Sequence, residues 1–575
     1  MTTLNRILAA TLFSLSIVSA GQLVPAADTA AAAATTSQIQ ALTVPTFHCL
    51  SVYWSPAKGE ATKQVLIKFR EANEETWHEG LPMRYNPIND WKHPGQKTPE
   101  SKGDYRGSIV NLKPGTNYEI ALTLEGTDIR TAMKASTWSE QFPVSATVKC
   151  GTSDKTLEIT KSGTADGYVV YDGTGVTIDT GNKEDMGINI NAEYVIIRGF
   201  TIKNVKTNGI NIAKGHHIVI ENCDISKWGS EDPAYPGLGF GVEMNAGVYS
   251  KDHDLHALVV QRCKIHHPTW DTNYWSQKHH TYHPDGPQTI VMWEPEGNNV
   301  IRYNECFSDD KHKYDDTMGG AFNGSYRGWP GRDSDIYCNY IANCCDDGIE
   351  VEGGGQNIRV FNNYIEHTMM MIANAAVSIG PLYVYDNVTG PSFTPDGGSG
   401  GKWHNTNGYF MKMGFAGSAD WMTGHMYVFN NTIFQGPANN GADGLGGDFK
   451  IIKHCVTRNN IFQARPDNKN SISTDTKGST DNNFDYDLIS HRVPEGSEKN
   501  GIKGTPKYVA SAGFSFETKT GNFQQSPDSP GKGKGLMIPN FCEPVNGQAL
   551  DMGAVQGNTP FVVGVKAEFI PPKSK

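Results

Sequence analysis

Short runs in which apolar residues alternate or follow one another recur along most of the chain. Each run reads apolar-x-apolar, then Asn or Cys, any residue, and Ile or a similar apolar residue; the clearest copies span residues 194–202, 217–225, 258–265, 299–304, 336–341, 358–365, 426–433 and 456–462. Runs of this length and composition predict β-strands. They recur at irregular intervals of about 24 to 41 residues, which indicates a solenoid with a constant strand core and loops of variable length.

We interpret each repeat as one coil of a right-handed parallel β-helix that spans residues 155–560 and is followed by a tail, residues 561–575. The Asn or Cys of each coil is expected to stack on its equivalents and to bond the backbone of the turn. For this reason Cys223 and Cys263 are predicted to be stacked core residues rather than a disulfide. A β-propeller is the alternative, but propeller blades need hairpins, and no two of these strands are joined directly by a two-residue Asn-Gly turn.

Residues 41–152 follow a different pattern, with alternating strands around residues 65–70 and 118–122. The Pro-Gly turn before the second strand is typical of a β-sandwich. Within it, Leu-x-Pro-Gly-Thr-x-Tyr, which ends at Tyr118, resembles the fibronectin type III signature. The resemblance implies that Tyr118 forms a corner, that Trp54 is the core aromatic residue and that the domain has no catalytic role. Cys49 and Cys150 bracket the domain and are a candidate disulfide.

The first twenty residues combine a basic residue, an apolar run and a small-x-small exit at Val18-Ser19-Ala20. This pattern predicts a signal peptide over residues 1–20, followed by an Ala/Thr-rich flexible leader over residues 21–40. We therefore expect a secreted protein, extracellular or periplasmic, in which disulfides are permitted. No later segment of the sequence is apolar for long enough to predict a membrane helix.

Composition narrows the classes of partner. The 575 residues include 62 Gly, only 19% are charged, and the net charge is -11, which suits a turn-rich all-β protein. A nucleic-acid-binding protein normally needs a basic face, so we expect no nucleic-acid partner and no membrane partner. We expect a polysaccharide, either neutral or acidic, as the partner. We also expect the protein to be a monomer.

Three acidic residues in the middle coils share one spacing, since 31 residues separate Asp285 from Asp316 and Asp316 from Asp347. Equivalent residues of successive coils lie about 4.8 Å apart, so this spacing predicts a column of carboxylates. Similar positions in flanking coils carry the neutral Asn208 and Asn407. Stacked carboxylates repel one another and must either raise a pKa or recruit a cation. We therefore predict catalytic roles for these three residues and for the adjacent Asp346.

Residues 155–560 resemble the superfamily of pectate lyases and polygalacturonases, and the resemblance implies a secreted carbohydrate-active enzyme. Its polygalacturonase-like branch uses a lone Asp and then an Asp-Asp pair for inverting hydrolysis. Asp316 and the pair Asp346-Asp347 are similar to that arrangement. We therefore predict an endo-acting inverting glycoside hydrolase without a cofactor, in which either Asp347 or Asp316 is the general acid and the other is the general base.

The pectate-lyase-like branch suggests the alternative of a calcium-dependent lyase that acts on a uronate polymer by β-elimination. Calcium prefers six to eight oxygen ligands, and Asp285, Asp316, Asp347 and Glu350 are the candidate ligands. The supporting residues predicted for either chemistry, including candidate bases, are Glu350, His283, Lys311, His312 and Arg327. A third alternative is a glycan-binding solenoid without catalytic activity. The predicted acidic column argues against it, because a column with a purely structural role would carry Asn in every coil.

Aromatic residues are frequent in the loops around the predicted column. Exposed aromatic rings stack on the apolar faces of sugars. The candidate substrate-binding residues are Trp275, Trp293, Tyr326 and Trp329.

Overall fold

The computed structural model of the protein describes residues 41–87, 103–241, 244–275, 277, 279–280, 283–320, 325–374, 377–392, 408–414, 422–446, 451–467, 470–474, 477–544 and 547–571. The predicted signal peptide and leader fall on residues 1–40, outside these ranges. Regular structure in the described part is entirely β-strand, which confirms the all-β class. Within the same ranges, no helix is present that could cross a membrane.

An antiparallel domain of eight strands opens the described chain. Its strands are β1 (Leu42–Pro45), β2 (Leu50–Trp54), β3 (Gln64–Glu71), β4 (His78–Glu79), β5 (Met83–Asn86), β6 (Asp104–Ile109), β7 (Asn117–Leu124) and β8 (Arg130–Ser136), and they pair in the order β1-β2-β6-β5-β3-β7-β8, with β4 on β3. Trp54 and Tyr118 are buried in its core. The hydroxyl of Tyr118 accepts a hydrogen bond of 2.8 Å from the backbone N–H of Lys113, which ties the strand to the Pro-Gly turn. The fibronectin type III relationship of this domain stays a prediction.

The remainder is a right-handed parallel β-helix with three sheets. Sheet A contains β10 (Leu157–Ile159), β12 (Met186–Asn191), β14 (Asn208–Lys214), β17 (Ala246–Ser250), β20 (Gln288–Met292), β23 (Met318–Gly319), β26 (Asp347–Glu350), β29 (Met370–Asn374), β32 (Tyr409–Met413) and β35 (Asp443–Gly446). Each strand pairs in parallel with the next one in this order.

Sheets B and C share their first strands and then separate at a turn within each coil. Sheet B contains β9 (Val144–Lys149), β11 (Tyr168–Asp179), β13 (Val195–Lys203), β15 (Ile218–Glu221), β18 (Leu258–Gln261), β21 (Val300–Arg302), β24 (Asp335–Tyr337), β27 (Ile358–Phe361), β30 (Leu382–Tyr385), β33 (Met426–Phe429), β36 (Cys455–Arg458) and β38 (Asn483–Phe484). Sheet C continues from β13 through β16 (Asp224–Ser226), β19 (Lys264–His266), β22 (Glu305–Phe307), β25 (Tyr340–Ala342), β28 (Tyr364–Glu366), β31 (Val388–Thr389), β34 (Thr432–Ile433), β37 (Ile461–Phe462), β39 (Leu488–Ile489) and β40 (Ile502–Lys503).

The predicted stacking of Asn at one turn of each coil is confirmed. A ladder of side chains runs along this turn, and each side-chain N–H donates to the side-chain oxygen of the next residue at 2.8–3.0 Å until Asp487 ends the series; its members are Asn304, Asn339, Asn363, Asn387, Asn431 and Asn460. The same oxygen also accepts the preceding coil's backbone N–H. Cys223 and Cys263 occupy the earlier coils as buried, stacked thiols, as predicted.

The antiparallel domain is docked on the outer face of sheet B through buried polar contacts. The guanidinium of Arg359, which is fully buried, lies 2.6 Å from both Asp335 Oδ1 and Ser51 Oγ. Arg302 makes a bidentate contact with Glu140 at 2.7 and 2.6 Å. Arg359 pairs with Asp335 inside the β-helix and reaches Ser51 across the interface, and Arg302 reaches Glu140, so the domain and the β-helix form one continuous structure.

The predicted disulfide between Cys49 and Cys150 is wrong, because all ten cysteines are free thiols. Cys49 is buried between the antiparallel domain and sheet B. Cys150 packs against the interior of the first coils of the β-helix. The two residues bracket the domain in sequence, but they are drawn into different cores.

The C-terminal segment returns along the β-helix. A small antiparallel sheet is formed by β41 (Gly513–Ser515), β42 (Thr520–Asn522) and β43 (Phe561–Val562), and it packs on sheet C around Tyr340 and Tyr364. Beyond it, Arg262 donates to the carbonyls of Val565 and Ala567 at 2.7 and 3.0 Å. The described part of the tail is therefore attached to the coils.

Candidate functional site

Asp316 and Asp347 stand in register on neighbouring coils, where the chain enters sheet A. Met318 of β23 pairs with Ile349 of β26, which places the two aspartates opposite each other. The backbone N–H of Asp347 donates to Asp316 Oδ1 at 2.8 Å. The stacking of these two carboxylates, inferred from their 31-residue spacing, is thus observed.

Asp285 does not extend this column. Ile290 pairs with Met318, so Gln288 occupies the equivalent place in the preceding coil, three residues after Asp285. The side chain of Asp285 instead lies 3.2 Å from His279 Nδ1. The predicted place of Asp285 in the column is wrong, because the register between coils is set by the pairing of their strands. The 31 residues between Asp285 and Asp316 include loop residues, so equal spacing in sequence does not place the two side chains opposite each other. Asn407, the other flanking residue of the prediction, lies outside the described ranges.

Five buried carboxylates converge at the start of β26, and we call Asp316, Asp346, Asp347, Glu350 and Glu352 the acid cluster. Oxygens of the first three lie within 4.8 Å of one another, and so do oxygens of the last three. All five side chains are buried. The turn that precedes β26 supplies Asp346, while the strand and its continuation supply the two glutamates, so one coil provides most of the cluster.

Two neighbouring groups contact the acid cluster from one side. His283 Nε2 lies 3.2 Å from Asp346 Oδ2. Gln288 donates to Asp315 Oδ1 at 2.9 Å and more weakly to Asp316 Oδ2 at 3.4 Å. The supporting role predicted for His283 therefore has a structural basis, because this ring reaches the cluster while its side chain remains 45% exposed.

Lys412 of β32 is the cation of the site. Its Nζ lies 2.5 Å from Asp347 Oδ2 and 3.1 Å from Glu352 Oε1. The Lys412 side chain is only 12% exposed. Among the described residues, the five carboxyl groups of the acid cluster thus face the one ammonium group of Lys412.

Burial and mutual repulsion shift the ionisation of these groups. Burial raises the pKa of Asp347 to about 8, with the Asp316 and Glu352 carboxylates acting in the same direction and Lys412 opposing them. Burial likewise raises the pKa of Asp316. For Lys412, burial favours the neutral amine, but the carboxylates of Asp347 and Glu352 outweigh it and hold the pKa well above its usual range.

The donor set of the acid cluster suits calcium. Carboxylate oxygens are the ligands that this hard cation prefers, and two groups of them converge within 4.8 Å. Asp347 Oδ1 is buried and has no hydrogen-bond partner among the described residues, so it is available as a ligand. Of the predicted ligands, Asp316, Asp347 and Glu350 are in place; the cluster adds Asp346 and Glu352 and leaves out Asp285.

The other predicted supporting residues make contacts elsewhere. His312 Nδ1 lies 2.9 Å from Asp309 Oδ1, and the backbone of Lys311 donates to the same atom. Arg327 donates to the carbonyl of His253 at 2.6 Å and lies 3.6 Å from Glu296. These contacts with other described residues do not connect Lys311, His312 or Arg327 to the acid cluster.

The predicted aromatic residues divide into two groups. Trp275 packs against His283 with ring centroids 4.5 Å apart and an angle of 59° between the rings. Trp293 lies on the face of sheet A beside Val291 and under Lys251. Tyr326 is half-buried. Trp329, however, is completely buried in the solenoid core, so its predicted role in substrate binding is wrong. Burial of this large, mainly apolar side chain in the interior is more favourable than exposure on the surface.

Sequence reasoning missed Lys412, Glu352 and Gln288. Glu352 could have been predicted, since it lies two residues after Glu350 and residues at this spacing point to the same face of a strand. Lys412 carried a weaker one as a single charged residue in the apolar strand Tyr409–Met413. Its contact with Asp347 spans 65 residues, and no local spacing predicts it.

Comparison with known proteins agrees with the fold. A family model described as right-handed beta helix region matches residues 186–389. Among solved structures, the catalytic unit of a thermostable GH87 α-1,3-glucanase from Streptomyces thermodiastaticus strain HF3-3 has 11% identity and a TM-score of 0.27 over 82% of this chain and 80% of that one. The tailspike protein of Pseudomonas phage LKA1 has 12% identity and a TM-score of 0.20 over 82% and 64%. No curated protein sequence matches the chain.

Proposed function

We propose that the protein is a polysaccharide lyase that cleaves a uronate-containing polymer by cation-dependent β-elimination at the acid cluster. The observation that carries this proposal is the position of Lys412, whose Nζ lies 2.5 Å from Asp347 in a group of five buried carboxylates. A lysine amine is a suitable base for a carbon acid, and the carboxylates form a cation site beside it. The lyase was the alternative in the sequence analysis.

The spacing of the carboxylates favours elimination over inverting hydrolysis. An inverting glycosidase separates its acid and base by about 6.5–9.5 Å so that a water molecule fits between them. Oxygens of Asp316, Asp346 and Asp347 lie within 4.8 Å of one another. Carboxylates this close are better suited to share a cation than to act on opposite sides of a glycosidic bond.

In the proposed reaction the neutral amine of Lys412 takes the proton from C5 of a uronate residue. The electron pair of the broken C–H bond forms the double bond between C4 and C5, and the C4–O bond breaks to release the next sugar as an alcohol once its oxygen is protonated. His283 is the group that can supply this proton, because its ring is held at the edge of the cluster by Asp346. Trp275 packs on the same ring and limits its orientations.

Asp316, Asp346, Asp347 and Glu350 are the residues that would hold calcium, with Glu352 beside them. When bound there, calcium would neutralise the carboxylates that keep Lys412 protonated and would polarise the carboxylate of the uronate. Glu352 and Asp347 also fix the direction of the Lys412 side chain, which approaches from a different coil.

Product chemistry tests this proposal. The full-length protein should be incubated with calcium and a panel of acidic and neutral polysaccharides, and both ultraviolet absorbance and reducing ends should be followed. We expect a uronate polymer to yield products that absorb as unsaturated uronates, in equal number to the new reducing ends. New reducing ends without that absorbance would reject elimination, and the absence of products with binding retained would reject an enzyme.

One observation favours the hydrolase of the sequence analysis as a second candidate. Because the pKa of Asp347 is raised to about 8 by burial, this residue is protonated over much of the neutral range and could donate a proton as a general acid. Reducing ends without ultraviolet absorbance are the result that this candidate predicts. Secretion, a monomeric state and the absence of nucleic-acid and membrane partners remain predictions.

A further inference from the structure

A second cluster of metal-ligating side chains lies outside the acid cluster. The loop between β16 and β17 contributes Asp232, and the loop between β19 and β20 contributes His279 and His280. One ligand atom from each of these three residues lies within 4.8 Å of the others. We call these three residues the histidine cluster.

The atoms of the histidine cluster converge on one place. His279 Nε2 lies 2.9 Å from Asp232 Oδ2, and His280 Nε2 contacts the same oxygen. Although His279 is close to carboxylates, neither of its ring nitrogens has hydrogen-bond geometry toward any described residue. Metal bonds of about 2.0–2.2 Å place neighbouring ligand atoms roughly 3 Å apart, which is the separation of His279 Nε2 and Asp232 Oδ2, whereas His280 Nε2 forms a hydrogen bond with the same carboxylate oxygen.

Asp285 supplies a further feature of metal sites. Its Oδ2 lies 3.2 Å from His279 Nδ1, the ring nitrogen on the far side from the cluster. Histidine ligands commonly contact a carboxylate through their second nitrogen, which fixes the ring orientation and makes the ligand more basic. Asp285 Oδ1 is buried and has no hydrogen-bond partner in the described ranges. The contact of Asp285 with His279 is therefore the main interaction of this carboxylate with a described side chain.

We propose that Asp232, His279 and His280 bind a divalent transition metal, with Zn²⁺ as the ion of best fit, and that Asp285 orients His279. Two imidazoles and one carboxylate favour Zn²⁺ over calcium, which prefers oxygen ligands. The inference goes beyond the proposed function and rests on different residues. It also gives a role to Asp285, which does not belong to the acid column.

The burial of the ligands is compatible with such a site. The side chains of Asp232 and His279 are fully buried, and the ring of Tyr235 packs on His279 with centroids 4.7 Å apart. The side chain of His280 is 46% exposed, which leaves an approach from solvent. A metal here would pin the loop that contains Asp232 to the loop that contains His283, and through it would hold His283 against Asp346.

The test is metal stoichiometry in the full-length protein after removal of bound metals with a chelator. Titration with Zn²⁺ should show one equivalent that is lost in His280→Gln and in Asp232→Asn and is retained in His216→Gln, which alters a different histidine group. Titration with Co²⁺ should give visible absorption bands that the first two variants lose. The half-exposed position of His280 makes its variant the least disruptive to folding, and circular dichroism verifies the fold.

Two results would overturn the proposal. One is a folded His280→Gln protein that binds Zn²⁺ with unchanged stoichiometry and affinity; the other is a wild-type protein that binds no Zn²⁺. Asp347→Asn serves to separate the two sites, because it should remove calcium binding at the acid cluster and leave the Zn²⁺ equivalent in place. Failure of the lyase proposal would not alter these titrations.

Discussion

At the scale of single residues, the acid cluster concentrates unfavourable charge in a buried place. Burial raises the pKa of Asp347 to about 8, and five carboxylates face one lysine. If these positions had only a structural role, they could carry the neutral Asn that forms the ladder at another turn of each coil. The arrangement is instead suited to a cation and to a base held in a fixed direction.

Removal of calcium is expected to change stability as well as activity. A ligand that binds only the folded state stabilises it by mass action, and removal of the ligand would leave the carboxylates of the acid cluster to repel one another. We predict that a chelator lowers the melting temperature of the wild-type protein and that calcium restores it, as measured by calorimetry. Asp347→Asn should show a much smaller response to calcium; an equal response would place the ion elsewhere.

A half-buried carboxyl group outside the acid cluster, that of Glu498, predicts a pH dependence of stability. Glu498 accepts the backbone N–H of Asp487 at 3.1 Å, and burial together with the Asp487 carboxylate raises its pKa to about 9. Because this folded pKa lies above the unfolded value, the stability it contributes is complete below about pH 4 and is lost progressively as the pH rises toward 9.

Glu498→Gln mimics the protonated side chain and should remove the loss of stability with rising pH that Glu498 causes. Urea unfolding at a series of pH values between 5 and 9 provides the measurement. The variant is expected to lose less stability across this range than the wild type, and parallel curves for the two proteins would show that Glu498 does not titrate as described.

At the scale of strands and coils, the Asn ladder holds each coil to the next. Asn363 accepts from the backbone and side chain of Asn339 and donates to Asn387 Oδ1 and to the carbonyl of Ile336, at 2.9–3.0 Å. All of these groups are buried. Unsatisfied buried polar groups cost roughly 1–3 kcal/mol each, so the ladder is a sensitive part of the fold.

We predict that Asn363→Ala lowers the free energy of unfolding by at least about 2 kcal/mol, because it leaves several buried donors and acceptors unsatisfied. Equilibrium denaturation measures the difference. Asn189→Ala, which alters a half-buried asparagine of sheet A, is the matched control and should cost less than about 1 kcal/mol. Equal losses in the two variants would argue against a special role for the ladder.

The coil is also the scale at which sequence reasoning succeeded and failed. The strand core and the Asn or Cys of the ladder keep a fixed spacing inside each coil, so the β-helix and the stacking of Cys223 on Cys263 could be predicted. The register between coils depends on loop lengths that vary. Asp285 was therefore assigned to the wrong column, and Lys412, which meets Asp347 from a coil 65 residues away, could not be found.

At the scale of the whole molecule, the antiparallel domain is attached rigidly. Arg359 is buried against Asp335 and Ser51, and Arg302 is held by Glu140. Sequence alone could not predict how this domain docks, because the contacts join residues about 300 positions apart, as Arg359 and Ser51 illustrate.

The docked interface predicts that the domain and the β-helix unfold together. Arg359→Met removes the contact with Ser51 across the interface together with the ion pair to Asp335, and breaking a buried ion pair costs about 3–5 kcal/mol. Calorimetry should show one transition in the wild type and a lower melting temperature in the variant. Arg130→Met, on an exposed strand, should leave the transition unchanged. Two separate transitions in the wild type would contradict a continuous structure.

The most direct test of the proposed function is the turnover of Lys412→Met on the uronate polymer that the wild type cleaves, measured as unsaturated product in the presence of calcium. Lys311→Met, which alters an exposed lysine outside the acid cluster, is the control. We predict that Lys412→Met loses at least about 100-fold in rate, as expected when a general base is removed, while Lys311→Met keeps wild-type activity. A folded Lys412→Met enzyme with undiminished turnover would contradict the account.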